Sequence, residues 1–217
     1  MGDKMNFKDI FTKNYVKGYF SRNKKIYLIS IVLFLFLGLF GMAVRGVPDA
    51  VNITANSLDD DIYDDTYLNN TTEGNFNGFL SLFVNNSIND VSCIIGGLLL
   101  GIPTLFISFT NATNFISIFL TWPADTIIYG IIPHGIFEIP SSLFALAGGI
   151  MLFKTELNII KGLLSSKTTV NEQLNESECL IKDAIITIII VFVLLFFAAL
   201  VEEYITPGLV LSHVTSI

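Results

Sequence analysis

The sequence predicts an all-α fold: a polytopic membrane bundle of about five transmembrane helices with its amino terminus in the cytoplasm. Three observations carry that expectation. The 217 residues are 52% hydrophobic and only 14% charged, where soluble domains run nearer a quarter charged. Several apolar runs reach the roughly 17–25 residues that cross a hydrocarbon core. The charges are also segregated rather than spread, although the whole chain carries a net charge of −7.

Segregation sets the orientation. Residues 1–25 hold seven Lys or Arg against Asp3 and Asp9, whereas residues 46–78 hold seven acids and no Lys or Arg. Basic residues flanking membrane spans mark the cytoplasmic side, so the basic end lies inside and the acidic segment outside. A nucleic-acid partner is not expected from so short a basic stretch beside an apolar run.

The elements follow in order. Residues 5–22 place Phe7, Ile10, Phe11, Tyr15 and Tyr19 at helical spacing with lysines opposite, as in a basic amphipathic helix on the cytoplasmic surface. Residues 1–25 therefore form a first segment. Helix 1 is expected over 26–44, the acidic extracytoplasmic loop over 46–78, and helix 2 over 88–110. Asn111 to Asn114 read as a short link, placing helix 3 over 115–132, with Trp122, Pro123 and Asp125 inside it. Helix 4 starts at Pro133, since proline suits a first helical turn, and ends near Phe153. A cytoplasmic loop follows over 154–182, then helix 5 over 183–205. The bundle as a whole covers 26–210, with 211–217 an extracytoplasmic tail.

This topology brings polar groups from three helices to the outer leaflet. His134 and Glu138 stand four residues apart on one face of helix 4, the glutamate about 6 Å deeper. Glu202 ends helix 5, and Asn85, Asn86, Asn89 and Asp90 open helix 2. Asp125, on a helix broken by Pro123, is the candidate for a deeper pathway. An ionisable side chain at membrane depth costs about 2.5–3.5 kcal/mol on insertion scales, which makes each a functional candidate. Small residues mark where helices touch: Gly97 and Gly101 on helix 2, and Ser141, Ala145 and Gly149 down helix 4, one flank away from His134 and Glu138.

Three functional readings are open to these residues. In the first, the protein is a non-enzymatic membrane scaffold or assembly subunit whose polar cluster holds helices together; no catalytic residue and no cofactor is assigned. In the second, the same cluster conducts protons, ions or a small solute. In the third, His134, Glu138 and Glu202 ligate a metal, though the His-Glu-x-x-His pattern of zinc proteases is missing. Cys93 and Cys179 have no metal-ligand spacing and form no disulfide framework. The expected partners are the lipid bilayer and either further copies of the chain or other membrane or envelope proteins.

The stretch IIPHGIFEIPSS, residues 131–142, resembles the signature of the stage II sporulation protein M family of integral membrane proteins. Pro133, His134, Gly135, Glu138 and Pro140 match its Pro-His-Gly, Glu and Pro positions. VEEYITP, with Glu202, Thr206 and Pro207, is similar to the family's acid before Thr-Pro, and NNSIND, Asn85 to Asp90, to its asparagines ahead of the second helix. The resemblance implies a cell-membrane protein, multi-pass, that works within a membrane complex. In spore formers that complex remodels peptidoglycan beside a separate wall-cleaving partner. Relatives also occur in organisms that form no spores, and the long acidic loop 46–78 departs from the compact family pattern, so sporulation is not among the expectations.

Overall fold

The computed structural model of the chain describes residues 10–45, 74–165 and 168–213. Helices account for nearly all of them, and no strand occurs among the described residues. The helices are α1 (Lys13–Arg45), α2 (Phe76–Ile95), α3 (Ile102–Thr121), α4 (Ile132–Leu164), α5 (Val170–Glu176), α6 (Glu178–Tyr204) and α7 (Thr206–His213). Most of the acidic loop, residues 46–73, with Phe7 of the amino-terminal segment and residues 214–217 of the tail, lies outside the described residues.

α4 is the central helix. Its small and medium side chains serve four neighbours at once. Ala145 packs with Cys93, Ile94, Val191 and Leu195; Ala147 and Met151 pack with Ile26 and Ala184; Leu146 packs with Phe34 and Ala112. α2 and α4 run parallel, because contacts between them advance together from Asn86–Glu138 through Asp90–Ser141 to Gly97–Gly149. α6 runs opposite to both: Phe196 meets Phe79 and Phe192 meets Phe83. Large apolar side chains elsewhere point outward, among them Leu28, Val32, Leu35, Phe36, Phe106 and Val193, as lipid-facing surfaces require.

The middle of the chain differs from the sequence expectation. Helix 2 does not run over 88–110, nor does helix 3 run over 115–132. The reversal falls at Gly96–Gly101, where a 3₁₀ turn (Gly96–Leu98) leads into Leu100 and Gly101 with φ of +56° and +67°. Glycine reaches that left-handed region without steric cost. Leu100 is held there as its N–H donates to Glu156 Oε2 of α4 at 2.8 Å. Gly97 and Gly101 are thus parts of a turn, not successive contacts down one helix. Asn111 to Asn114 lie inside α3, where Thr110 and Thr113 return their hydroxyls to the carbonyls of Ile107 and Phe109 at 2.8 and 2.7 Å. Threonines that bond back to the preceding turn are compatible with an unbroken helix.

The break comes at Trp122–Pro123, both extended in ψ (152° and 145°). A turn (Ala124–Thr126) and five residues of π-helix (Ile127–Ile131) then feed α4. Asp125 consequently sits in the turn just after Pro123, its Oδ1 accepting the Thr126 N–H at 2.9 Å, at the very start of the apolar stretch Ala124–Leu164. α4 begins at Ile132 with Pro133 in its first turn, and carries on to Leu164, past the expected end at Phe153. The segment expected as loop 154–182 also contains α5, opened by a capping box between Thr169 and Glu172.

The amino-terminal segment is not a separate surface helix over its described part. α1 runs unbroken from Lys13 through the apolar stretch. Ile10 and Tyr19 are buried against Ile186 of α6. Four described helices are long and apolar enough to cross a membrane: Lys13–Val44, Ile102–Thr121, Ala124–Leu164 and Glu178–Tyr204. α2 matches α3 in length at 20 residues, but Asn85, Asn86, Asn89 and Asp90 make it more polar.

Candidate functional site

The polar groups of α2 and α4 meet as two rungs, one helical turn apart. Asn86 and Asp90 are four residues apart on α2, and Glu138 and Ser141 are three apart on α4, so each pair shares a face. Asn86 Nδ2 donates to Glu138 Oε1 at 2.8 Å. Ser141 Oγ donates to Asp90 Oδ2 at 2.5 Å, with both residues buried. Ser141 therefore shares the face of Glu138 and does not lie one flank away. Below these rungs the backbones close up. A Cβ on Gly97 would run into the carbonyl of Gly149, and one on Gly149 into Thr104 and the Cys93 carbonyl. Ala145 fills the step between.

The acid of α6 that reaches the start of α2 is Glu203, one residue past the expected Glu202. Glu203 is buried, and its Oε1 accepts the Asn75 backbone N–H at 2.8 Å. Asn75 is the N-cap of α2, its own side chain accepting from Gly78 N–H at 2.8 Å. A side chain at Gly78 would have to displace the carboxylate of Glu203. The carboxylate thus sits where the first orphan N–H groups of α2 point and where the helix dipole favours negative charge. Glu202 beside it is half-buried.

His134 is buried in the first turn of α4, its Nδ1 within 3.5 Å of Thr206 Oγ1, while Thr206 donates to the Val201 carbonyl at 3.2 Å. This ties the start of α4 to the α6–α7 junction. Asn85 points to the exposed side, its Nδ2 3.5 Å from Ser81 Oγ, and Asn89 is half-buried. His134, Glu138 and Glu202 do not form a ligand set: among the described residues, no group of three His, Cys, Asp or Glu side chains is placed to hold a metal ion.

A second polar cluster, at the opposite end of the bundle, was not anticipated from the sequence. Asp183 of α6 is 1% exposed and accepts from Arg22 Nη2 at 2.7 Å and Asn23 Nδ2 at 2.6 Å. One turn on, Tyr19 and Thr187 share a 2.6 Å hydroxyl contact. The guanidinium of Arg22 also stacks over Tyr15, 4.2 Å from the ring centre. The signal of this cluster was present: Tyr19 and Asn23, and Asp183 and Thr187, are both i, i+4 polar pairs.

Such a fold, apolar outside and cross-linked by acids and amides inside, defines an integral membrane helix bundle. The family profile described as stage II sporulation protein M matches residues 29–207. The chain belongs to that family. It is also 28% identical over 193 residues to an uncharacterized protein of Methanocaldococcus jannaschii, covering 85% of this chain and 83% of the relative. No solved structure matches it.

Proposed function

We propose that the protein is a non-enzymatic scaffold or assembly subunit of the cell membrane, crossing it five times with its amino end in the cytoplasm. Supporting more than one crossing, α2 and α4 run one way and α6 the other, and the basic end of α1 lies beside the start of α6. Its partners are further copies of the chain or other membrane or envelope proteins.

The observation that carries the scaffold reading is that the acids inside the bundle are engaged across helices. Glu138 takes Asn86, Asp90 takes Ser141, and Glu203 takes the Asn75 N–H. Interhelical hydrogen bonds in lipid contribute about 0.6–2 kcal/mol each, enough as a set to hold one packing arrangement. The test is membrane abundance and oligomeric state of Glu138→Ala, with Glu138→Gln as the isosteric control. The scaffold reading expects the alanine variant to lose assembly and the glutamine variant to keep it. An alanine variant that assembles and accumulates like the wild type overturns it.

One observation favours a second reading, transport. Asp90 and Glu138 stand on adjacent rungs of one seam, and stacked carboxylates at membrane depth are what a proton relay needs. Flux measurements separate the two readings.

A further inference from the structure

A groove of about 410 Å³ runs between the first turns of α1 and the outward side of α6, with Phe144 of α4 at its floor. Val16, Phe20, Ile189, Ile190 and Leu194 line it, and its volume falls in the range of ligand sites, roughly 300–1,000 Å³. Large apolar groups remain uncovered along it: Phe11 is 78% exposed and Phe20 54%. Three lysines stand beside it on α1. Lys17 lies three residues before Phe20 and Lys24 four after it, and Lys13 lies three before Val16, so helical spacing puts all three lysines on the groove's flank of α1. All three are exposed.

We propose that this groove binds one anionic phospholipid from the leaflet at the Arg22 end of the bundle. Its acyl chain would lie along Phe144, Ile190 and Leu194, and its headgroup along the row of Lys13, Lys17 and Lys24. Charge complementarity selects this occupant. Any acyl chain satisfies the apolar trench, but only an anionic headgroup also satisfies the lysine row, as basic pockets beside membrane helices do elsewhere. A second copy of the chain docked two-fold through the same face would set that lysine row against itself. The proposal needs only that the protein sits in a membrane, and stands apart from the scaffold reading.

The test is native mass spectrometry of the full chain released from nanodiscs of phosphatidylcholine with and without phosphatidylglycerol. The wild type is expected to retain phosphatidylglycerol in preference to phosphatidylcholine. Lys13→Gln, Lys17→Gln and Lys24→Gln should each weaken that retention roughly fivefold. Leu194→Trp, which fills the trench, should remove the bound lipid; its thermal midpoint in detergent checks that it folds, and the lysine variants decide the matter if it does not. Equal retention of both lipids by the wild type overturns the proposal, as does unchanged phosphatidylglycerol retention when all three lysine substitutions are combined in one chain. A lipid-free dimer that Leu194→Trp splits would also overturn it and assign the groove to a second copy.

Discussion

Asn86 and Glu138 join α2 to α4 through a 2.8 Å hydrogen bond from amide to carboxylate. The bond locks two parallel helices that make no direct chain connection, and it lies one turn from the buried Asp90–Ser141 bond. Removing the donor leaves an acid in an apolar interface, whereas Glu138→Gln keeps an acceptor. Asn86→Ala is therefore expected to lower unfolding stability in lipid by about 1–2 kcal/mol, and Glu138→Gln by less. A double-mutant cycle between the two positions checks it: a coupling energy near zero would show that the bond does not hold the helices.

Glu203 at the amino end of α2 supplies a second prediction. Its charge faces the helix dipole, a favourable placement of about 0.3–1 kcal/mol, and Asn75 adds a cap worth about 1 kcal/mol. Glu203→Gln and Asn75→Ala should each increase hydrogen exchange in the first turns of α2, around Phe76–Phe79, while Glu202→Gln leaves it unchanged. Equal effects at both glutamates would contradict the assignment of the cap to Glu203.

The Arg22–Asp183 pair allows a prediction of sign. Asp183 is almost wholly buried, while the Arg22 side chain is a third exposed and can reach water. Removing the arginine strands a buried carboxylate; removing the carboxylate strands a cation that can turn outward. Arg22→Leu is thus expected to cost about 2 kcal/mol or more, and Asp183→Asn less. Protease accessibility of residues 13–22 reads the detachment of this end of α1, and the reverse order would refute the burial argument.

Two glycines give opposite expectations. A methyl group on Gly97 meets the backbone of Gly149, so Gly97→Ala must push α4 away, at about 1–3 kcal/mol. Gly208, in α7, has nothing within 4 Å of such a methyl. Gly208→Ala should be neutral or stabilise by up to about 1 kcal/mol through helix propensity. Thermal midpoints of the two variants in one detergent compare them directly.

Composition and the run of apolar stretches already disclosed the helical class, and the interruptions by Asn86, Asp90 and Glu138 fall where α2 and α4 meet. Other features were not legible for specific physical reasons. GGLLLG reads as the middle of an apolar helix, yet left-handed Leu100 and Gly101 reverse the chain there, supported by Glu156 from a distant segment. TNATN reads as a loop, yet its threonines bond back along α3. Glu202 and Glu203 differ by about 100° around α6, and only the tertiary position of α2 decides which is buried. Asp183 stands at an expected helix boundary, where an acid ordinarily meets water; its burial depends on Arg22 and Asn23, 161 and 160 residues away.

The most direct measurement is proton and ion flux in vesicles reconstituted with the wild type and, at equal incorporation, Glu138→Gln. If the acids of the seam serve to hold helices, neither protein conducts above empty vesicles, and the two share one oligomeric state. Flux in the wild type that Glu138→Gln abolishes would contradict the scaffold account and make the seam a conduction path.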